Sequence, residues 1–185
     1  MVRRILYLLV VGMVAFACSS PPPSTANAQL DQLFTRLRTT ASAEEAQAIQ
    51  VTIQHVWSQH RDGSVRTLMR HGLEAVHRHD FEAALIIMDE VVRRAPDFAE
   101  GWFLRASLNA ARGDYPRAIH DIERVLVIEP RHFEALAGLG RIFLMLEDKK
   151  AALWAFEAAL AINPHMKPTQ EMVVQLRDSV IGMQI

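Results

Sequence analysis

The stretch Ala99 to Pro130, AEGWFLRASLNAARGDYPRAIHDIERVLVIEP, decides the fold because its pattern recurs on both sides of it. Its closing proline is the middle member of a series, Pro96, Pro130 and Pro164, whose members stand 34 positions apart. Self-similarity at a period of roughly 20 to 50 residues is typical of solenoids, in which each unit buries its apolar face against the next. The period therefore predicts stacked helical hairpins.

In register, the units run over residues 65–98, 99–132 and 133–166. Each first helix carries a large residue four positions before a small one, and each second helix carries a small residue four positions before a large one. The pairs of the first helices are Leu68 and Gly72, Trp102 and Ala106, and Leu136 and Gly140; those of the second helices are Ala84 and Met88, Ala118 and Ile122, and Ala152 and Phe156. Residues four apart share a helix face, so we expect small residues to let the paired helices touch.

The turn of each hairpin carries an aspartate directly before the second helix: Asp80, Asp114 and Asp148. A carboxylate at this place accepts backbone N–H groups and favours the positive end of the helix, so we predict caps and not catalytic acids. His79 stands where the next unit has Gly113, at a position that favours a left-handed backbone.

These residues and their spacing resemble the tetratricopeptide repeat, with its W-x2-L-G-x2-Y, A-x3-F and terminal P pattern, over residues 65–166. The resemblance implies an all-α fold: a right-handed superhelical solenoid of three hairpins with an N-terminal helical pair and a C-terminal capping helix. Arg105 stands where the pattern prefers Leu. We expect it to pair with Asp121 on the facing helix, because a buried arginine without a partner is costly.

The resemblance also implies a concave groove, lined by the first helices, that binds an extended peptide or a helix. By register, the lining is Arg66, Met69, Leu73, Val76, Glu100, Phe103, Ser107, Ala110, Glu134, Ala137, Arg141 and Leu144. It lacks the Lys and Asn clamp by which some relatives hold a terminal carboxylate, so that activity is not transferred. As an alternative, the helices of residues 29–63 or a second copy of the chain cover the groove.

Residues 29–63 predict two helices that do not follow the repeat. Ser42 and Glu45 form a capping box at the start of the second helix. Gln50 and Gln54 stand where the repeat places its packing Ala and Phe, so we interpret the pair as an N-terminal cap. At the other end, residues 167–185 predict a capping helix with the apolar stripe Met172, Val173, Leu176 and Val180.

Residues 1–28 predict export. Arg3 and Arg4 precede an uncharged apolar run from residue 5 to 17 that is shorter than the roughly 20 residues of a membrane span. Cys18 lies where a bacterial lipobox would place a lipid anchor, followed by a Pro/Ser tether, although Ala15 and Phe16 fit that motif only in part. The competing cleavage site follows Ala28. The sequence thus predicts a periplasmic protein, anchored to the outer membrane if Cys18 carries lipid.

Composition and motifs argue against several functions. The net charge is −1, so no basic field attracts nucleic acid. The single cysteine excludes an internal disulfide and a CxxC site, and no phosphate-binding loop or nucleophile elbow is present. His77 and His79 are two apart and point to different sides of a helix end, which disfavours a metal site. We therefore predict no catalytic residues, no metal and no cofactor.

These observations predict a non-catalytic protein-protein interaction adaptor of the bacterial envelope that uses the concave groove. The main alternative is a structural homo-oligomer. It would use an outward face on which Ile86 and Trp154 hold equivalent positions in two units. A metal-carrying or enzymatic role ranks below both.

Overall fold

The computed structural model describes residues 25–181; Cys18 and most of the predicted export segment lie outside them. The regular secondary structure of residues 25–181 is entirely helical, which confirms the predicted all-α solenoid. The helices are α1 (Thr25–Thr39), α2 (Ala43–Ser58), α3 (Gly63–His77), α4 (Phe81–Arg94), α5 (Ala99–Ala111), α6 (Tyr115–Ile128), α7 (Phe133–Met145), α8 (Lys149–Ile162) and α9 (Lys167–Ile181). Among these described helices, none is long and apolar enough to cross a membrane.

Three hairpins, α3 with α4, α5 with α6, and α7 with α8, stack in chain order. Their helices approach closely because glycine or alanine occupies the contact point. A Cβ placed on Gly140 would lie 2.6 Å from ring atoms of Phe156, and one on Gly72 would overlap the Met88 side chain. The middle hairpin has Ala106 at this point, with Ile122 in place of the bulkier Phe156 ring.

The hairpin turns follow the sequence prediction. Asp80, Asp114 and Asp148 each accept a hydrogen bond from the backbone N–H three residues ahead, at 3.0 to 3.2 Å. The residue before each aspartate has a left-handed backbone, with φ of 60° at His79, 79° at Gly113 and 59° at Glu147. Two of the three turns therefore hold a side chain in a conformation that favours glycine.

We expect His79→Gly and Glu147→Gly each to raise the free energy of unfolding by about 0.5 to 1 kcal/mol. Glycine relieves the left-handed strain, and this gain exceeds its entropic cost in the unfolded chain. Urea unfolding followed by circular dichroism measures the change. Gly113→Ala is the matched control and should lower stability by about 1 kcal/mol; glycine variants no more stable than the wild type would contradict the prediction.

The outer face of the first hairpin is polar. The second unit buries Gly101 and Leu108 against the preceding hairpin, and the third unit buries Ala135 and Ile142 in the same way. At the equivalent two positions the first unit carries the polar residues Thr67 and Glu74. The Thr67 hydroxyl donates to the Gly63 carbonyl, and Glu74 pairs with Arg70 at 2.6 Å. The first unit therefore meets water without a cap.

The N-terminal pair, α1 and α2, is placed differently from the predicted cap. Its apolar residues form one cluster with Phe133, and Ile162 and Met166 of the third unit pack against that cluster. The pair thus lies against the inner side of the second and third units instead of stacking on the first. The physical reason is the polar face just described, which offers no apolar surface for a cap.

The last helix, α9, packs on α8 through Val173 and Leu176, which are buried with Phe156. An ion pair between Arg177 and Glu157, at 2.6 Å, lies at the edge of this contact. The apolar end of the third unit is covered in this way.

Candidate interaction site

The last residues of the three units form a row along the edge of the groove. Phe98, His132 and Met166 hold equivalent positions, 34 residues apart. We call these three residues the unit-end row. Phe98 and His132 are buried, and Met166 is half-buried.

Helix α2 and the residues after it follow the unit-end row from the third unit to the first. Ala46 lines a cavity together with Met166, Trp57 stacks on His132, and His60 packs on Phe98 with ring centres 5.0 Å apart. Helix α2 of the same chain therefore packs along the unit-end row.

His132 is the centre of this contact. Its ring is fully buried, with Trp57 stacked at 4.2 Å and nearly parallel on one side and Phe103 at 4.7 Å. Its Nδ1 accepts the backbone N–H of Ala135, which caps α7, so we assign the ring proton to Nε2. That Nε2 lies 3.5 Å from a Glu100 carboxylate oxygen without hydrogen-bond geometry. One side chain thus caps a repeat helix and receives the N-terminal pair.

Polar contacts surround the aromatic centre. Arg131 pairs with Asp31 at 2.6 Å, and its guanidinium lies 4.4 Å from the centre of the Phe34 ring. Gln54 Nε2 donates to Glu134 at 2.9 Å, and His165 Nε2 donates to the Leu37 carbonyl at 3.0 Å. These contacts join residues up to 128 positions apart and orient the pair on the repeats.

Two donors inside the contact have no hydrogen-bond partner. Trp57 Nε1 and His132 Nε2 are buried and make no hydrogen bond. An unsatisfied buried donor costs about 1 to 3 kcal/mol. The contact is therefore close in shape but not optimal in its polar groups.

Burial raises the pKa of Glu134 above its ordinary value, while the nearby His132 and the hydrogen bond from Gln54 oppose the shift. The protonated form of Glu134 is thus favoured in the folded protein. The pKa of Glu134 is therefore higher in the folded protein than in the unfolded chain. The resulting contribution to stability is fully present below the unfolded pKa and is lost as the pH rises through the folded pKa.

We therefore expect the thermal midpoint to fall as the pH rises through this window, and Glu134→Gln to remove that part of the dependence. Thermal unfolding of both proteins between about pH 4 and 8 measures it. Glu44→Gln, an exposed carboxylate on the same N-terminal pair, is the control and should keep the wild-type profile. An unchanged profile in Glu134→Gln would refute the prediction.

The predicted groove residues fall into two groups. Phe103 lies against His132, and Met69 is buried in the core of the first hairpins. Arg66 donates to the carbonyls of His60 and Arg61, next to the N-terminal pair. Glu100 and Glu134 are half-buried beside the docked pair, whereas Ala137 is buried in the core of α7, α8 and α9 and does not line the groove. Further along the first helices, Leu73, Ser107 and Arg141 are exposed and Val76, Ala110 and Leu144 are half-buried. The structure thus leaves part of the predicted groove accessible beside the docked pair.

A cavity of about 560 Å³ opens between α2, α7 and the start of α9. Arg141, Lys167 and His165 line it, together with glutamines of α2 and α9, and its lining contains no carboxylate. Arg141 is a predicted groove residue, so this cavity joins the accessible part of the groove to the docked pair.

The two residues predicted for self-association, Ile86 and Trp154, differ in their exposure. Ile86 is 70% exposed, whereas Trp154 is half-buried against the core of the second and third units. His77 and His79 are exposed, and across residues 25–181 no three His, Cys, Asp or Glu side chains are grouped to hold a metal ion.

Sequence reasoning missed the roles of Trp57 and His132. One sign of these roles was present in the sequence. At the last position of each unit, the first and third units carry the large apolar residues Phe98 and Met166, and the second carries His132. Position 57 corresponds to Val91, Val125 and Ala159 of the repeats, where a tryptophan is unusually large. Their contact still depends on distant packing that neither pattern specifies.

Hairpins of fixed length, stacked around an inner face that holds helices, define a helical-repeat protein. A family model described as tetratricopeptide repeat matches residues 69–129 and 111–167, together more than half of the chain. A TPR repeat-containing protein of Rhizobium etli is 35% identical over 159 residues, 86% of this chain and 78% of the relative. The chain belongs to the tetratricopeptide repeat family.

Solved structures share the fold. The TPR2B domain of yeast Sti1, in its pHsp70 complex, has a TM-score of 0.59 and 19% identity over 64% of this chain and 99% of that one. The Yersinia enterocolitica type III secretion chaperone SycD, in complex with a peptide of the translocator YopD, has a TM-score of 0.61 and 13% identity over 64% and 95%. At these identities the likeness concerns the fold alone.

Proposed function

We propose that this chain is a non-catalytic protein-interaction adaptor whose concave groove binds a peptide or a helix of a partner protein. The observation that carries the proposal is the inner face, where aromatic and aliphatic side chains already hold a pair of helices in this molecule. The similar folds of Sti1 and SycD occur in complexes with pHsp70 and with a YopD peptide, which supports the same mode of action.

The accessible part of the groove is the proposed partner surface. Leu73 is 44% exposed, and Ser107 is exposed at the equivalent place in the next unit. Apolar surface in a groove lined by helices suits the apolar side of a peptide or helix. Arg141 supplies a cation at the far end for an acidic group of the partner.

Photo-crosslinking in cells tests this proposal. A photoreactive amino acid at position 73 or 107 should capture a protein, identified by mass spectrometry, and a nearby Ala110→Glu substitution should abolish the capture while circular dichroism stays unchanged. The same label at Ile86, on the outward face, is the matched control. Identical products from positions 73 and 86 would sink the proposal.

We further propose that the adaptor works in the bacterial envelope, exported by residues 1–28 and held at the outer membrane by a lipid on Cys18. The apolar run after Arg3 and Arg4 and the tether after Cys18 support this location. The intact mass of the mature N-terminus distinguishes a lipidated Cys18 from cleavage after Ala28. Cys18→Ala should release the protein from membranes; retention of the variant would count against the anchor.

A structural homo-oligomer is the second candidate, favoured by the 70% exposure of Ile86. Sedimentation velocity should then reveal a dimer or larger species that Ile86→Glu converts to a monomer. A wild-type monomer at all accessible concentrations would exclude this candidate.

A further inference from the structure

We infer that the unit-end row is a receptor for an amphipathic helix of a partner protein, and that α2 displays the motif this helix carries. The inference rests on the proposed function and makes the partner specific. In the numbering of α2, the motif is apolar at 46, 49 and 53, with an amide at 54 and an aromatic ring at 57. The N-terminal pair then competes with the partner for one surface.

The stripe of α2 has the spacing of a helix held in a groove. Ala46, Ile49, Ile53 and Trp57 are buried between α1 and the repeats, in one cluster with Phe133, whereas Val51 on the other side of the same helix is 54% exposed. Anchors at such intervals on one helix face are typical of groove recognition.

Particular contacts of the row define the specificity. The imidazole of His132 offers a flat face for an aromatic ring, as Trp57 shows at 4.2 Å. Glu134 accepts an amide N–H one turn earlier on the helix, as Gln54 shows at 2.9 Å. A partner helix that meets these groups must present an aromatic residue three positions after a hydrogen-bond donor.

The docked pair is poised to exchange because its contact is imperfect. Trp57 Nε1 and His132 Nε2 stay unsatisfied, and each such donor weakens a contact roughly tenfold. The Asp31 carboxylate that pairs with Arg131 is 59% exposed, and exposed pairs contribute little. A partner helix that offers an acceptor to His132 Nε2 binds the same row more tightly than α2 does, and Trp57 Nε1 regains water when α2 leaves.

The first hairpin does not depend on the pair to cover its outer face. The first hairpin presents Thr67, Arg70 and Glu74 outward, so removal of α1 and α2 uncovers no apolar end there. Only residues 59–62 join α2 to the first hairpin, and Arg66 holds the His60 and Arg61 carbonyls of this link. A short link thus joins the pair to the repeats, and displacement of the pair would expose Phe98, His132 and Phe133 to a partner helix.

A labelled peptide of residues 43–58 is the probe, and fluorescence anisotropy measures its binding to the full chain in a Cys18→Ser background. Two variants weaken the docked pair: Trp57→Ala, and the rim variant Asp31→Ala with Gln54→Ala. We expect each to bind the peptide at least tenfold more tightly than the wild type. Val51→Ala, the control on the exposed side of α2, should bind as the wild type does. A variant crosslinked between Gln54→Cys and Glu134→Cys should not bind.

Circular dichroism verifies that each variant is folded, and the rim variant decides the outcome if Trp57→Ala unfolds. Folded variants that bind the peptide no better than the wild type overturn the inference, as do dimers that exchange their N-terminal pairs and exclude the peptide. Peptide binding without any protein captured at position 73 would support the receptor row and reject the proposed adaptor role. A captured protein together with failed peptide binding would do the reverse.

Discussion

Replacement of Arg105 by alanine is expected to lower the free energy of unfolding by about 3 to 5 kcal/mol, since it leaves a buried carboxylate without its counter-charge. The guanidinium donates to both oxygens of Asp121, at 2.9 and 2.7 Å, and to Asp89 of the preceding hairpin at 2.8 Å. Asp121 is 1% exposed, and its other partners are the Asn109 amide at 3.2 Å and the His120 Nδ1 at 3.3 Å. These hydrogen bonds hold the pKa of Arg105 above its ordinary value.

Urea unfolding measures this loss, and two further variants identify its cause. Arg112→Ala breaks an exposed ion pair with Glu82 and should cost less than about 1 kcal/mol. The double variant Arg105→Leu with Asp121→Ala removes both charges and should be far more stable than Arg105→Ala, because no charge remains buried alone. If the double variant is the less stable of the two, the desolvation argument fails.

Gly140→Ala is expected to cost about 1 to 3 kcal/mol because the added methyl group would meet the Phe156 ring at 2.6 to 2.9 Å. The ring is 1% exposed and packs among residues of α7, α8 and α9, so it has little room to shift. Thermal and urea unfolding measure the cost.

The middle hairpin provides the compensating change. There Ala106 and Ile122 hold the equivalent positions, so Gly140→Ala combined with Phe156→Ile reproduces a pair that this chain already uses. We expect the double variant to lose less stability than the sum of the two single variants. Additive losses would mean that the close approach of α7 and α8 is not what limits residue size at position 140.

The hairpins could be predicted from the sequence because their determinants are local and repeated. Small residues at the contact points, aspartates at the turns and the left-handed site at His79 all follow from spacing and backbone sterics. The Arg105 to Asp121 pair was also predictable, since a charge at an apolar position of the repeat requires a partner across the hairpin.

The position of the N-terminal pair could not be predicted in the same way. Its apolar stripes predict two helices but not the surface that buries them, and the decisive contacts, Asp31 with Arg131 and Gln54 with Glu134, join distant residues. The sequence left open whether the pair caps the first hairpin or lies in the groove. Thr67 and Glu74, polar where later units are apolar, were the available sign against the cap.

The polar face of the first hairpin also limits how this array can lengthen. Repeat proteins grow when a unit is duplicated, and each new interface must bury apolar surface on both sides. A hairpin added before residue 65 would meet Thr67, Arg70 and Glu74, so it would gain little from stacking. A viable duplication would therefore have to arise between existing units, behind a first hairpin that remains the permanent end of the chain's solenoid.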